Sequence, residues 1–231
     1  MKTIIIGDIH GCYTEFMALL EKCNFCPETD RLILNGDLID RGPCSWEVLQ
    51  QAKQLAGVMG DRFVLIRGSH EKLLLDHSKN WKDRVLWNLV GKGSTVKSFR
   101  QHGENVLSYR TWIAENSRQW HQDVLFQCAH AGIKTEPIED NDEYTLLMHH
   151  SITRKNRYSG KLTITGHIHL KRPMLFDGSG SKGIVLEYHK WMPLPPKGVI
   201  CIDTGCPEYD RLTAMVIRDR EFYLEYQLRK Y

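Results

Sequence analysis

Long apolar runs are missing from this chain: none exceeds four or five residues, far below the roughly 20 needed to cross a bilayer. A membrane partner is therefore not expected. Charge of one sign is also scarce. The formal charge is +3 and the pI about 8.4, too mild to supply the basic patch or stripe that marks nucleic-acid binding. The opening "MKTIIIGDIHG" reaches acidic and glycine residues before it can build a signal-peptide core of about 7–15 apolar residues. The seven cysteines are odd in number, and with no such leader they read as free thiols in a cytoplasmic protein. "CNFC" is the single close pair, without a second pair at zinc-finger spacing. Its cysteines are read as small buried thiols at a helix end.

What the sequence does hold is a set of short, dense strands. "TIII", "RLIL", "FVLI", "VLFQCA", "LTIT" and "VICI" are β-branched or leucine-rich runs of the kind buried on both faces. Between the first three lie "YTEFMALLEKC" and "SWEVLQQAKQLAG", with apolar residues at helical spacing. This alternation predicts an α/β core with largely parallel strands. Helical patterns continue through "KLLLDHSKNWKDRVLWNLV" and "TVKSFRQHG". Residues 171–198 look like a long excursion or a hairpin, and "LTAMVIRDREFYLEYQLRK" reads as a terminal hairpin turning at "RDRE". The 231 residues, 42% hydrophobic and 26% charged, suit one globular domain over 1–231, with no repeat and no linker long enough to divide it.

Chemistry clusters where strands end. Asp8 and His10 follow the first strand, Asp37, Asp40 and Arg41 the second, and Ser69, His70 and Glu71 the third. His130 and His167 end two later strands. In an open parallel sheet the carboxyl ends share one edge, where ligands bind. Each piece alone is weak, because Gly-Asp after a strand is a common turn. His77, His102, His121, His169 and His189 lack this placement and are read as structural. Recurrence is what carries the reading: two carboxylates and three imidazoles suit a pair of divalent transition ions, and Asp37 is best placed to bridge them at the spacing of two-metal hydrolases.

"GDIHG", "GDLIDRG", "RGSHE", "HAG" and "GH" resemble the five-part signature of metallophosphoesterases of the phosphoprotein phosphatase type. The similarity is strongest to the compact bacterial and bacteriophage serine/threonine phosphatases. It spans residues 4–217, including "IDTGCPEYDRLTAMVI". The resemblance implies a calcineurin-like metallophosphoesterase fold, a β-sandwich flanked by helices, with a dinuclear metal site at the strand ends. It implies that Asp8, His10 and Asp37 hold one ion and that Asp37, residue 69, His130 and His167 hold the other. Manganese is favoured, with iron, zinc and nickel also admissible. By the same resemblance His70 protonates the leaving oxygen, Asp40 holds its ring and raises its pKa, and Arg41 grips the phosphate through its planar fork. A second clamp is expected from Arg154 or Arg157, with Arg154 preferred, although "HHSITRKNR" departs from the family's Trp-containing form. Glu71 is expected to brace the following turn.

Ser69 is the other departure, since the family has asparagine there. An amide oxygen ligates a cation without adding charge, whereas the hydroxyl stops about 1.2–1.5 Å short of the same point. Weaker binding of the second ion follows, with water able to fill the gap. The sequence therefore predicts a metal-dependent phosphomonoesterase, a serine/threonine protein phosphatase acting on phosphorylated proteins or peptides through a metal-bridging hydroxide. One alternative is a hydrolase of dinucleoside polyphosphates or other nucleotides with the same fold. The other is a non-catalytic module that binds phosphorylated ligands, for which Ser69 is the support.

Overall fold

A computed structural model describes residues 1–79, 81–150, 157–180 and 182–229. The strands run, in chain order, β1 (Thr3–Ile6), β2 (Arg31–Leu34), β3 (Phe63–Ile66), β4 (Ser117–Arg118), β5 (Trp120–Gln122), β6 (Gln127–Ala129) and β7 (Thr163–Thr165). They continue with β8 (Met174–Phe176), β9 (Ile184–Val185), β10 (Trp191–Pro193), β11 (Val199–Cys201), β12 (Arg211–Arg218) and β13 (Glu221–Leu228). The helices are α1 (Tyr13–Lys22), α2 (Ser45–Met59), α3 (Ser69–Asp76), α4 (Trp81–Val90), α5 (Lys92–Gln101), α6 (Arg110–Asn116), α7 (Glu143–Leu147) and α8 (Cys206–Tyr209).

Among the described residues the strands form two sheets, in the orders β10-β13-β12-β1-β2-β3-β4 and β5-β6-β7-β11-β8-β9. Each of the six runs read as strands contains a buried strand, although in "VLFQCA" the strand is confined to Gln127–Ala129 and Val124 is exposed. Two sheets flanked by helices are the arrangement that the resemblance implies, with the parallel strands read from the alternation divided between them. β1 to β4 pair in parallel, as do β6, β7 and β11, while β12, β13 and the other edge strands pair antiparallel. Local pattern cannot tell one wide sheet from two stacked ones, because both bury continuous apolar strands.

The alternation within each strand assigns the layers. Ile4, Ile6, Leu32, Leu34 and Leu65 face α1 and α2 and pack on Phe16, Leu19, Val48 and Leu49. Ile5, Ile33, Val64 and Ile66 point the other way, into the core shared with Cys128, Ile164 and Ile200 of the second sheet. Period-two alternation thus builds two cores from one run of isoleucines. The outer face of the second sheet is covered by Ile133, Ile138, Leu146 and Leu147. Residues 171–198 divide their strands: β8 and β9 extend the second sheet, whereas β10 pairs with β13 at the edge of the first. β12 and β13 form the expected terminal hairpin.

Candidate metal centre

The loops that follow β1, β2, β3, β6, β7 and β11 meet at one end of the two stacked sheets, and hydrogen bonds lace them together. Ile9 and His10 both donate their backbone N–H to the Asp37 carbonyl, at 3.1 and 2.8 Å, and Gly42 N–H donates to the His10 carbonyl at 3.0 Å. His70 N–H donates to Asp37 Oδ1 at 2.8 Å, so the first turn of α3 anchors that carboxylate. The His167 N–H reaches across from the second sheet to Asp8 Oδ2 at 3.0 Å. Glycine makes this approach possible: a Cβ on Gly166 would lie 2.0 Å from Asp8 Oδ1, and one on Gly36 would lie 2.7 Å from the Gly68 backbone.

Glu71 caps the start of α3 and braces the loop after β2, rather than the turn that follows it. Its buried carboxylate accepts N–H groups from Asp37, Leu38 and Gly68 at 2.8–3.0 Å. Burial raises its pKa to about 7, with the nearby Asp37 charge adding to the shift.

Two groups of potential ligand atoms result: His10, Asp37 and His70 in one, and Asp37, His130 and His167 in the other, with the atoms of each group within 4.8 Å of one another. Asp37 belongs to both. Its Oδ2 lies 3.2 Å from His130 Nε2 and 3.7 Å from His10 Nε2. His10 and His130 donate Nδ1–H to the Ile39 and Asn35 carbonyls, each at 2.8 Å. A backbone acceptor at Nδ1 leaves the lone pair on Nε2, the form in which histidine binds a metal. Those Nε2 atoms, His167 Nε2, Asp8 Oδ1, Asn35 Oδ1 and Asp203 Oδ2 are all buried without a hydrogen-bond partner among the described residues. So many stranded acceptors at one spot are costly unless something positive sits among them. The donor set therefore fits divalent cations.

The titration behaviour agrees. Burial, with the His70 charge, holds His10 well below the usual histidine range, and burial with the His130 charge brings His167 down to about 3. Burial alone would lower His130, but the Asp37 and Asp8 carboxylates push it up to about 10. Burial and the neighbouring Asp203 raise Asp8 well above the carboxylate range. This is the pattern of anionic and imidazole groups crowded together with protons taking the place of cations.

Around this centre, Asp40 is fully buried, and its Oδ2 accepts His70 Nδ1–H at 2.7 Å and Trp87 Nε1–H at 2.8 Å. Thr95 donates to its Oδ1 at 2.6 Å. Burial lowers the His70 pKa, but the Asp37 charge and the Asp40 hydrogen bond outweigh it and leave the ring above its ordinary value. Arg41 lies at the rim, its Nη1 2.8 Å from His169 Nε2 and 2.9 Å from Glu208 Oε1. Ser69, the first residue of α3, donates its hydroxyl to Asp37 at 3.0 Å. Arg154 falls outside the described residues, and Arg157 donates to the Ser179 carbonyl.

Three residues were missed by sequence reasoning. His169, read as structural, stands beside Arg41, and its Nδ1–H donates to Glu208 at 2.7 Å. Asp203, from the loop after β11, is buried 3.5 Å from His169 Nε2. Asn35 closes β2. The placement rule itself could have found Asp203, because it follows the strand "VICI"; His169 lies only two residues past His167.

Residues 1–171 match the model of the calcineurin-like phosphoesterase family. The chain belongs to that family. It is a family of dinuclear metal-dependent phosphoesterases. Among curated proteins, the chain is 51% identical to a symmetrical bis(5'-nucleosyl)-tetraphosphatase of Klebsiella pneumoniae (strain 342), covering 97% of this chain and 94% of that protein. The same name belongs to an Erwinia tasmaniensis relative, 49% identical over 97% of each. With a Salmonella arizonae relative the match is confined to 75 residues, 51% identical, and the chain spans 25% of that protein's length. Among solved structures, a protein serine/threonine phosphatase from Saccharomyces cerevisiae superposes with a TM-score of 0.68, covering 100% of this chain and 81% of that one at 14% identity. A metallophosphoesterase from Sphaerobacter thermophilus does so at 0.64, covering 99% and 90% at 13% identity. At such identity the structures speak for the fold alone.

These relatives correct two expectations. The serine/threonine protein phosphatase, and with it a phosphorylated protein as substrate, gives way, because the relatives that match along nearly their whole length are named tetraphosphatases. The physical reason is that the five motifs carry side chains suited to cations and to a phosphoryl group, which many phosphoesters share. They do not specify the rest of the leaving group.

Proposed function

We propose that the chain is a two-cation hydrolase that splits bis(5'-nucleosyl) tetraphosphates symmetrically into two nucleoside diphosphates, acting as one domain. The name shared by the near-full-length relatives carries this reading. Stranded ligand atoms at the strand ends support its chemistry. We assign Asp8, His10 and Asp37 to one ion, and Asp37, Ser69, His130 and His167 to the other. Manganese is the first choice for the carboxylate oxygens, and iron, zinc and nickel suit the imidazoles beside them. Two such cations supply Lewis acidity to a phosphoryl group and lower the pKa of water.

The protein groups do the rest. Arg41 takes a phosphate through its paired N–H donors once its contact with Glu208 exchanges. His70, protonated on both nitrogens, gives the Nε2 proton to the bridging oxygen of the departing diphosphate, while Asp40 accepts Nδ1–H and fixes the ring's orientation. Burial of Asp40 and of the His70 ring keeps water from competing for that contact.

The test is a product analysis. With manganese and bis(5'-adenosyl) tetraphosphate, ion-exchange chromatography should show ADP alone. ATP with AMP would refute symmetrical cleavage, and faster turnover of a phosphoserine peptide than of the tetraphosphate would refute the substrate assignment.

A further inference from the structure

Cys12 ends the loop after β1, and Cys206 opens α8 after β11, so one thiol arrives from each sheet. Cys12 Sγ, a Glu15 carboxylate oxygen and Cys206 Sγ lie within 4.8 Å of one another. All three residues are buried, at 2%, 6% and 0% exposure. Glu15 stands three residues after Cys12, which places both on one side of the first turn of α1. None of the three belongs to the clusters around Asp37. Cys44, only partly buried, donates its backbone N–H to the Gly11 carbonyl at 3.0 Å, which brings it next to Cys12 as a candidate fourth donor. By contrast, Cys23 and Cys26 join no such group among the described residues.

We propose that Cys12, Glu15 and Cys206 form a site for one thiophilic divalent cation, zinc by class, separate from the candidate catalytic pair. Two thiolates and a carboxylate are a donor set that a d10 ion accepts in tetrahedral geometry, with Cys44 or water completing it. Binding releases the two thiol protons to solvent and changes no oxidation state. The position gives the ion a task. Cys12 lies two residues beyond His10 and Cys206 three beyond Asp203, so the ion ties the loop of one sheet to the loop of the other at the rim of the centre.

Cobalt substitution tests this without relying on turnover. The reduced protein loaded with Co²⁺ should show a near-ultraviolet thiolate-to-cobalt charge-transfer band, which nitrogen and oxygen ligands do not produce, and zinc should abolish it. Asp37→Asn, which disables both other clusters, should keep the band, whereas Cys12→Ser and Cys206→Ser should each lose most of it. Absence of the band from the reduced wild-type protein overturns the proposal, as does its survival in the double serine variant. If a serine variant fails to fold, zinc-edge X-ray absorption of the wild type decides: sulfur neighbours at about 2.3 Å uphold the site, and nitrogen and oxygen alone overturn it.

Discussion

Ser69→Asn is the most informative single change. The hydroxyl lies 3.0 and 3.3 Å from the two oxygens of Asp37, so its proton is committed to that carboxylate. A hydrogen bond of this charged type is worth about 1.5–3 kcal/mol, and the substitution gives it up. In exchange, the asparagine oxygen reaches about 1.2–1.5 Å further and adds a neutral donor to the group formed by Asp37, His130 and His167. Asp37 does not drift, because His70 N–H still holds Oδ1 at 2.8 Å and Glu71 still holds its backbone. Groups that merely support a metal ligand are worth about 10–100-fold in affinity, and a direct ligand should be worth no less. The Mn²⁺ concentration for half-maximal rate should therefore fall by about 10–100-fold, with little change in kcat at saturating metal. The assay is the initial rate of bis(5'-adenosyl) tetraphosphate hydrolysis by metal-stripped protein over a Mn²⁺ series. Superimposable curves for the two proteins would refute Ser69 as a weakened ligand. A higher metal requirement in the variant would show that the Ser69–Asp37 hydrogen bond matters more than the added oxygen.

Three further outcomes follow from contacts around the centre. Glu71→Gln sets an amide N–H₂ against one of three backbone donors, which should cost about 2–3 kcal/mol and lower Tm by about 4–12 °C; an unchanged Tm in a calorimetric scan would contradict the bracing role. His169→Ala removes a 2.8 Å partner of Arg41 and should lower kcat/KM about 10–100-fold with no loss of bound metal by elemental analysis, whereas loss of an ion would make His169 a ligand. Glu208→Gln frees Arg41 from a partly exposed ion pair worth about 0.2–1 kcal/mol, so KM for the tetraphosphate should fall by at most about fivefold while kcat holds; a rise in KM would mean that Glu208 orients Arg41 rather than competing for it.

Much of the fold was legible because it is local. Four isoleucine- or leucine-rich positions per strand, each run followed by side chains suited to a metal or a phosphate, identify β1, β2 and β3 without any knowledge of their neighbours. The second sheet was legible only through the resemblance, since by pattern alone β6, β7 and β11 look the same whether they extend the first sheet or face it. Among site residues, those inside dense motifs were readable and those beside them were not. Asp203 follows a recognisable strand, but "IDTG" also reads as an ordinary turn. His169 acquires its importance only when Arg41 and Glu208, 128 and 39 residues away in sequence, fold onto it. The leaving group was the least legible feature, because the residues that recognise a nucleoside need no fixed spacing from those that hold cations.

Backbone conformation explains why so many chemically useful side chains converge. His10, Asp37, Asp40, Arg41 and His167 all have φ between +46° and +71°, a left-handed region that costs a residue with a Cβ about 1–2 kcal/mol. Five such residues store about 5–10 kcal/mol, comparable to the whole net stability of an ordinary domain. Glycine would relieve each position, and the chain spends glycine freely nearby, at Gly7, Gly11, Gly36 and Gly42. The strained positions therefore keep their side chains for what those side chains do. A left-handed residue reverses the chain abruptly, which lets Asp8 and His10, or Asp37 and Asp40, turn toward one point from a single short loop. Such geometry persists only where it is over-determined, and here it is: Asp37 is held by His10, Ser69, His70 and Glu71 at once. Brace and ligand are consequently one structure, so a change in Glu71 should reach the cations even though Glu71 need never touch them.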